Sequence, residues 1–140
     1  MDATRNWSMV SHTMADACTV RLAVRRFLEQ SADPQGSDLD AAELIVGELI
    51  ANVVRHGAPP FGVCVDWNEA IPVLYVSDRG RLHKPLIYPA PDREAERGRG
   101  LLLVRALAQG EVVVAPRTER SGTRVAVPLP VHRNDDSERA

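Results

Sequence analysis

Residues 43–57 read ELIVGELIANVVRHG, and the apolar side chains of this stretch recur nearly all the way round a helix. A helix that is apolar on all sides is usually buried in a protein core. Glu48 and Asn52 interrupt the pattern, and their spacing of four residues places them on one helix face. A buried carboxylate beside a buried amide is costly unless an internal hydrogen-bond network or a bound ligand satisfies both. This helix alone leaves both explanations open.

The composition is that of a globular protein with one hydrophobic core. The chain has 140 residues, of which 44% are hydrophobic and 26% charged, and this size favours a single domain. Its net charge of −2 gives no support for direct binding of nucleic acid. No apolar run is long enough to span a bilayer and the N-terminus lacks a signal-peptide pattern, so a cytoplasmic location is expected. Cys18 and Cys64 have no metal-binding spacing and are predicted to be reduced thiols.

Hydrophobic periodicity predicts the order strand, helix, helix, two strands, loop, helix, two strands. Because the helices do not alternate strictly with the strands, an α+β fold is favoured, with two layers and a mostly antiparallel sheet. Ser37 or Asp38 is predicted to cap the second helix, and Gly57 to end it. Residues 131–140 form a polar tail that is predicted to be disordered. The predicted strands are residues 4–10, 61–67, 71–77, 111–115 and 123–129, and the predicted helices are residues 14–29, 39–56 and 100–108.

A long loop without regular patterning precedes the last predicted helix. Residues 79–99 contain six basic and three acidic residues. An irregular connection of about 20 residues is unusual in a compact domain and is typical of a lid or binding loop. A solvated surface loop is the alternative.

Asp78 stands at the end of a predicted strand, and Gly80 follows two residues later. A carboxylate in this place can accept a hydrogen bond from an exocyclic amine, and the glycine lets the backbone approach a flat ring closely. Taken alone the pattern is weak, because Asp-x-Gly is also ordinary turn chemistry. Thr123 starts the last predicted strand, where its hydroxyl either contacts a ligand or belongs to a turn.

A basic run that contains two glycines opens the last predicted helix: residues 97–101 read RGRGL. The free N–H groups at a helix N-terminus favour an anion, as does the helix dipole. Arg97 and Arg99 add charge-assisted hydrogen bonds of the kind that suits phosphate. The run therefore predicts a phosphate contact. No P-loop motif and no zinc-ligand array occurs in the sequence.

Four sequence elements resemble, in their order along the chain, those of the GHKL ATPase superfamily, which has the Bergerat fold. They are the Glu48 and Asn52 pair, Asp78-x-Gly80, residues 97–101 and Thr123. They are most similar to its small anti-sigma-factor serine/threonine kinases. The resemblance covers about residues 4–129. It implies one ATP-binding domain over residues 1–130, with a mostly antiparallel mixed sheet, helices on one face and an ATP lid at residues 79–99. The matching motifs are Glu48-x-x-x-Asn52 with residues 55–57 (N box), Asp78-x-Gly80 (first glycine box), residues 98–101 (second glycine box) and residues 122–123 (last box).

The resemblance implies a role for each matching residue. Glu48 would be the general base that acts on a protein hydroxyl or a water, and Asn52 would bind the Mg²⁺ that bridges the phosphates of ATP. Asp78 would accept a hydrogen bond from the adenine amine. The lid arginine that faces the phosphates stays open between Arg93, Arg97 and Arg99. The remaining implied nucleotide contacts are Arg55, Gly80, Arg97, Gly98, Arg99, Gly100, Leu101 and Thr123.

The implied function is that of an ATP-binding anti-sigma factor with serine/threonine protein kinase activity. It would regulate transcription by switching partners between a sigma factor and an anti-anti-sigma (antagonist) protein that it phosphorylates, and the resemblance also allows a homodimer. The alternative is an ATP-binding or degenerate module that sequesters a partner without phosphotransfer. A histidine-kinase catalytic domain is disfavoured, since no helix pair with a phosphoacceptor histidine precedes the first helix. Arg21, Arg25 and Arg26 are either a solvated face or a contact for an acidic sigma-factor surface.

Overall fold

The computed structural model describes residues 5–11, 17–79, 95–116 and 122–134, and for residues 95–100 it describes the backbone alone. These ranges contain three helices and five strands. The strands are β1 (Asn6–Ser11), β2 (Phe61–Asp66), β3 (Val73–Asp78), β4 (Val113–Pro116) and β5 (Thr123–Pro128), and the helices are α1 (Ala17–Glu29), α2 (Leu39–His56) and α3 (Ala95–Leu107).

The strands form one sheet in the order β1-β2-β3-β5-β4. In the register, Leu74 of β3 lies opposite both Val65 of β2 and Val127 of β5. Buried and half-buried side chains alternate along β2 and β3, so one face of the sheet carries the core and the other is open. The predicted α+β fold is confirmed. Among the described strands each pairing is antiparallel, so the expectation of a mixed sheet is wrong for this part of the chain.

Helix α2 is the centre of the helical layer and contacts α1, α3 and β3. Its buried side includes Ile45, Val46 and Leu49, which are at most 2% exposed. Each such side chain contributes about 1.5–3 kcal/mol through the apolar surface that it removes from water. Asp38 begins the helix as its N-cap, because its side chain accepts a hydrogen bond from the Ala41 N–H at 3.0 Å. Among the helices described, none has the length and apolar character needed to cross a membrane.

Helix α3 begins five residues before its predicted start, so Gly98 and Gly100 lie inside it. Glycine in a helix interior costs about 1 kcal/mol relative to alanine, which is why the two glycines suggested a boundary. The structure nevertheless continues the helix back through both glycines to Ala95. Leu101 and Val104, which follow the glycines, are 2% and 0% exposed and join the core beside α2.

Residues 129–134 pack against the body of the fold after β5 ends. Val131 is fully buried, and the N–H of Asp33 donates to the carbonyl of His132 at 2.8 Å. Ser37 also contacts His132, since its hydroxyl donates to the carbonyl and accepts from the N–H. The prediction of a disordered tail is therefore wrong for residues 131–134, because an apolar anchor and backbone hydrogen bonds hold them.

The same segment also joins the turn between β2 and β3. The guanidinium of Arg133 donates to the carbonyls of Trp67 and Glu69. The Leu129 N–H donates to the Pro72 carbonyl at 2.9 Å. We call this part of the molecule the closed end; it consists of residues 30–38, 67–72 and 129–134. Residues 135–140, the rest of the predicted tail, lie outside the described residues.

Candidate functional site

Two polar side chains occupy core positions at the opposite end of the sheet. Asp78 is the last residue of β3, and it continues the buried positions of Leu74 and Val76. Thr123 is the first residue of β5 and lies directly across from Asp78 in the register. Their exposed fractions are 8% and 7%. A carboxylate and a hydroxyl therefore lie side by side beneath the helical layer, where the strand pattern elsewhere places apolar groups.

Gly122 introduces β5 with φ of 136°, a conformation that residues with a side chain rarely adopt. The glycine thus allows the chain to enter the sheet with Thr123 opposite Asp78. Both residues of the predicted last box therefore have a structural place: the backbone conformation at residue 122 requires glycine, and residue 123 supplies the hydroxyl.

The end of α2 lies directly against Asp78. A Cβ atom built on Gly57 would be 2.7 Å from Cγ of Asp78 and 2.9 Å from its Oδ1. The Arg79 N–H donates to the Ala58 carbonyl at 3.0 Å, which ties the exit of β3 to the segment that follows α2. The N box and the first glycine box, which are separated by about 20 residues in sequence, are brought into contact here.

Glu48 and Asn52 lie on one row of α2 that passes from the surface into the protein. Leu44, four residues before Glu48, is 43% exposed, Glu48 is half-buried, and Asn52 is 8% exposed. The carboxylate of Glu48 therefore stands at the boundary between solvent and the buried polar groups. We call Asn52, Gly57, Asp78 and Thr123 the site end, with Glu48 at its outer margin.

The structure places the other predicted contacts as follows. Arg55 is exposed in the last turn of α2. Leu101 lies in the core, and its N–H is beyond the first turn of α3, so the structure does not support its predicted contact. The N–H of Gly98 is among the first four of α3, which have no partner within a helix, whereas Gly100 lies beyond this turn. The prediction that Gly98 precedes the helix is wrong, because α3 begins at Ala95. Gly80 and the side chains of Arg97 and Arg99 lie outside what the structure describes.

A protein-family model described as "Histidine kinase-like ATPase domain" matches residues 10–127. The chain belongs to this family. No curated protein matches the chain. Among solved structures, the histidine kinase AdeS of Acinetobacter baumannii is similar, with a TM-score of 0.46 and 13% identity over 91% of this chain and 68% of that one.

Membership in the histidine kinase-like ATPase domains implies that this chain binds ATP. The described residues fit an adenine nucleotide. The buried Asp78 carboxylate suits an exocyclic amine, and the absence of a side chain at Gly57 leaves the space that this carboxylate occupies. The sequence indicated Gly57 as a helix end and as part of the N-box motif, but it did not indicate the contact with Asp78, because a close approach between distant segments leaves no local signal.

A magnesium ion fits this ATPase domain only if the nucleotide supplies most of its ligands. Within the described residues, no group of three or more His, Cys, Asp or Glu side chains is placed to hold a metal. Mg²⁺ is commonly bound by one or two protein oxygens, substrate phosphates and water. The side-chain oxygen of Asn52 is suited to be the single protein ligand of a metal ion that binds together with ATP.

Proposed function

We propose that this chain is a Mg-ATP-dependent protein serine/threonine kinase that also acts as an anti-sigma factor. One observation carries the nucleotide-dependent part of the proposal: the end of α2 meets the ends of β3 and β5, where Asp78 and Thr123 replace apolar core residues. Burying a carboxylate in a core costs free energy, and nothing in the packing of an apolar core requires one there. Recognition of a polar ligand is a physical reason for its presence.

The binding roles follow from chemistry and position. Asp78 accepts a hydrogen bond from the adenine amine, and Thr123 supports it from the neighbouring strand. Asn52 would hold Mg²⁺ through its side-chain oxygen, and the ion would supply neutralisation of phosphate charge. The first turn of α3 donates N–H groups to the phosphates, with Gly98 among the donors.

Glu48 removes the proton from a serine or threonine hydroxyl as the hydroxyl oxygen attacks the γ-phosphorus of ATP. The bond from this phosphorus to the bridging oxygen breaks, and ADP leaves. The half-buried position of Glu48 supports this role, since a catalytic base for a partner's hydroxyl must be reachable from solvent and also from the nucleotide.

The partners in this proposal are a sigma factor and a phosphorylatable antagonist, with a homodimer as the assembled form. These partners rest on the motif resemblance. The structure bears on one surface only: Arg25 is already engaged by carboxylates of α1 and α2, which disfavours a free basic stripe as the sigma-factor contact.

One observation favours the alternative, a module that holds ATP and sequesters a partner without phosphotransfer. The Gly98 and Gly100 pair lies inside α3 instead of in a free loop before it, so the N–H of Gly100 lies beyond the first turn and is not free to bind a phosphate. A weakly organised phosphate site would bind the nucleotide but would not hold the γ-phosphate in line for attack.

The nucleotide site is tested by titration calorimetry of ATP with and without Mg²⁺. Asn52→Ala should weaken Mg-dependent binding by about tenfold or more, the loss of one charge-assisted interaction. Asn68→Ala is the matched control, because Asn68 is an exposed asparagine at the closed end that bonds to Asp66. Undetectable binding to the wild type would overturn the proposal, and equal affinities for wild type and Asn52→Ala would refute the Asn52 assignment.

The acceptor is tested with γ-labelled ATP and a panel of candidate antagonist proteins. The proposal expects an acid-stable phosphoester on serine or threonine. An acid-labile phosphohistidine would contradict the serine/threonine assignment. ATP binding together with stable partner binding and no transferred phosphate would favour the sequestering module.

A further inference from the structure

We propose that Gly57 is the positioning residue for Asp78: its missing side chain leaves the space that the Asp78 carboxylate occupies, and it thereby sets where an adenine amine can be bound. This inference rests on the proposed nucleotide site and deepens it. Gly57 is not itself a contact for the nucleotide in this account. It acts through the carboxylate that lies against it.

Backbone conformation does not explain why residue 57 is glycine. Its φ of −93° and ψ of −167° are extended values that any residue adopts, and its N–H ends α2 by donating to the Val53 carbonyl at 2.8 Å. Gly122 differs, because its φ of 136° does require glycine. At Gly57 the requirement must therefore come from space.

The available space is too small for a methyl group. A Cβ atom on Gly57 would be 2.7 Å from Cγ of Asp78 and 2.9 Å from both its Oδ1 and the Val53 carbonyl oxygen. Carbon atoms in contact are normally separated by about 3.5–4.0 Å. One of these groups would have to move.

The carboxylate has little freedom to move without leaving its position. Asp78 is 8% exposed and pairs with Thr123 across the sheet. The hydrogen bond from the Arg79 N–H to the Ala58 carbonyl holds the end of β3 against the chain that follows Gly57. A side chain at residue 57 therefore displaces the carboxylate from the place where a buried amine donor would meet it.

Gly47 offers a matched control on the same helix. A Cβ atom there would meet only Cδ of Arg21, at 3.5 Å, which is ordinary van der Waals contact. Gly47→Ala thus makes the same chemical change in α2 with no close contact at the site end.

The first experiment compares ATP with purine riboside triphosphate, which lacks the exocyclic amine, by titration calorimetry. The wild type should prefer ATP by about tenfold or more, because purine riboside triphosphate cannot donate the hydrogen bond to the charged Asp78 carboxylate. Gly57→Ala should reduce this preference to about twofold or less while the affinity for purine riboside triphosphate changes by less than about threefold. Gly47→Ala should retain the wild-type preference.

The second experiment measures the contact itself by thermal unfolding, without nucleotide. Gly57→Ala should lower Tm in the wild-type background and lower it less in the Asp78→Ala background, where Cγ and Oδ1 are absent. Equal losses in the two backgrounds would overturn the proposal. If Gly57→Ala fails to fold, a folded Gly57→Ala/Asp78→Ala variant supports the proposal and an unfolded one overturns it.

The outcomes separate this inference from the proposed function. A folded Gly57→Ala variant that binds ATP with the wild-type preference for the amine overturns the positioning role and leaves the ATP site intact. A wild type that binds both triphosphates equally overturns the adenine role of Asp78 and the inference with it. A wild type that binds neither overturns both proposals.

Discussion

The two ends of the sheet use polar groups in different ways. At the closed end, the carbonyls of His132, Trp67 and Glu69 are bonded to donors from other segments of the same chain. At the site end, Asp78 and Thr123 place reactive side chains in positions that continue the apolar face of β3 and β5. The same two strands therefore have one end that joins segments of the fold and another suited to a ligand. Helix α2 connects them, beginning beside Asp38 and ending beside Asp78.

The largest effect is expected from Glu48→Gln at the outer margin of the site end. It should lower the rate of phosphotransfer by about 10²–10⁴-fold, since an amide cannot accept the hydroxyl proton. The affinity for ATP and the free energy of unfolding should stay near the wild-type values. Single-turnover transfer of labelled phosphate and calorimetry measure the two quantities. Glu111→Gln, an exposed glutamate before β4, is the control, and full transfer by Glu48→Gln would contradict the base assignment.

Arg133→Ala tests the closed end and should lower stability without changing ATP binding. Loss of the guanidinium bonds to the Trp67 and Glu69 carbonyls should lower the free energy of unfolding by about 3 kcal/mol, at about 1.5 kcal/mol for each bond made by a charged donor. ATP affinity should be unchanged while the protein remains folded. Urea unfolding with Arg105→Ala, an exposed arginine of α3, as control measures the effect. A parallel loss of ATP affinity would mean that the two ends are coupled.

Asp38→Ala removes the N-cap of α2 at the closed end. Because the Ala41 N–H loses its acceptor, we expect a loss of about 1 kcal/mol in unfolding free energy. Asp38→Asn should retain most of the stability, since an amide oxygen can accept the same bond. If either variant changed the ATP preference over purine riboside triphosphate, the beginning of α2 would be transmitting strain to its end.

The smallest effect is expected from Arg25→Ala, which breaks the ion pairs between α1 and α2. The guanidinium lies 2.8 Å from Asp40, 2.8 Å from Glu43 and 3.0 Å from Glu29, and these carboxylates raise its pKa above the ordinary value, Asp40 most of all. The Asp40 side chain is 92% exposed, so solvent screens the pair.

The loss for Arg25→Ala should therefore be about 0.5–1 kcal/mol in low salt, and it should shrink in 1 M NaCl, where the Debye length is about 3 Å. Arg26→Ala, the exposed neighbour, is the control. A loss that is independent of salt would indicate packing by the arginine stem as the cause. Unchanged sigma-factor binding by Arg25→Ala would agree with the internal pairing seen here.

Much of the fold was readable from local sequence. The burial of α2 follows from the spacing of its own apolar residues. Its start was predicted at Ser37 or Asp38 and its end at Gly57, and in the structure Asp38 and Gly57 are the caps. The alternation of residues 61–67 predicted that Phe61, Val63, Val65 and Trp67 share one face, and the structure buries all four. These features depend on side-chain spacing within one element, which the sequence contains.

The start of α3 and the packing of residues 131–134 were both predicted wrongly from local residue types. Glycines and polar residues indicate chain breaks locally, but in residues 131–134 the burial of Val131 against other segments outweighed that preference. A propensity of about 1 kcal/mol is smaller than the roughly 1.5–3 kcal/mol from burying one large apolar side chain.

By itself the sequence determined which residues are the candidates for ligand chemistry: the Glu48 and Asn52 pair, Asp78, and the glycines near α3 and β5. Only the tertiary structure decided how near these groups lie to one another, and that Gly57 leaves space for a carboxylate 21 positions later in the chain. The physical reason is that residue type and periodicity are local properties. A 2.7 Å approach between two segments depends on how the helix and the sheet pack, and no single segment encodes it.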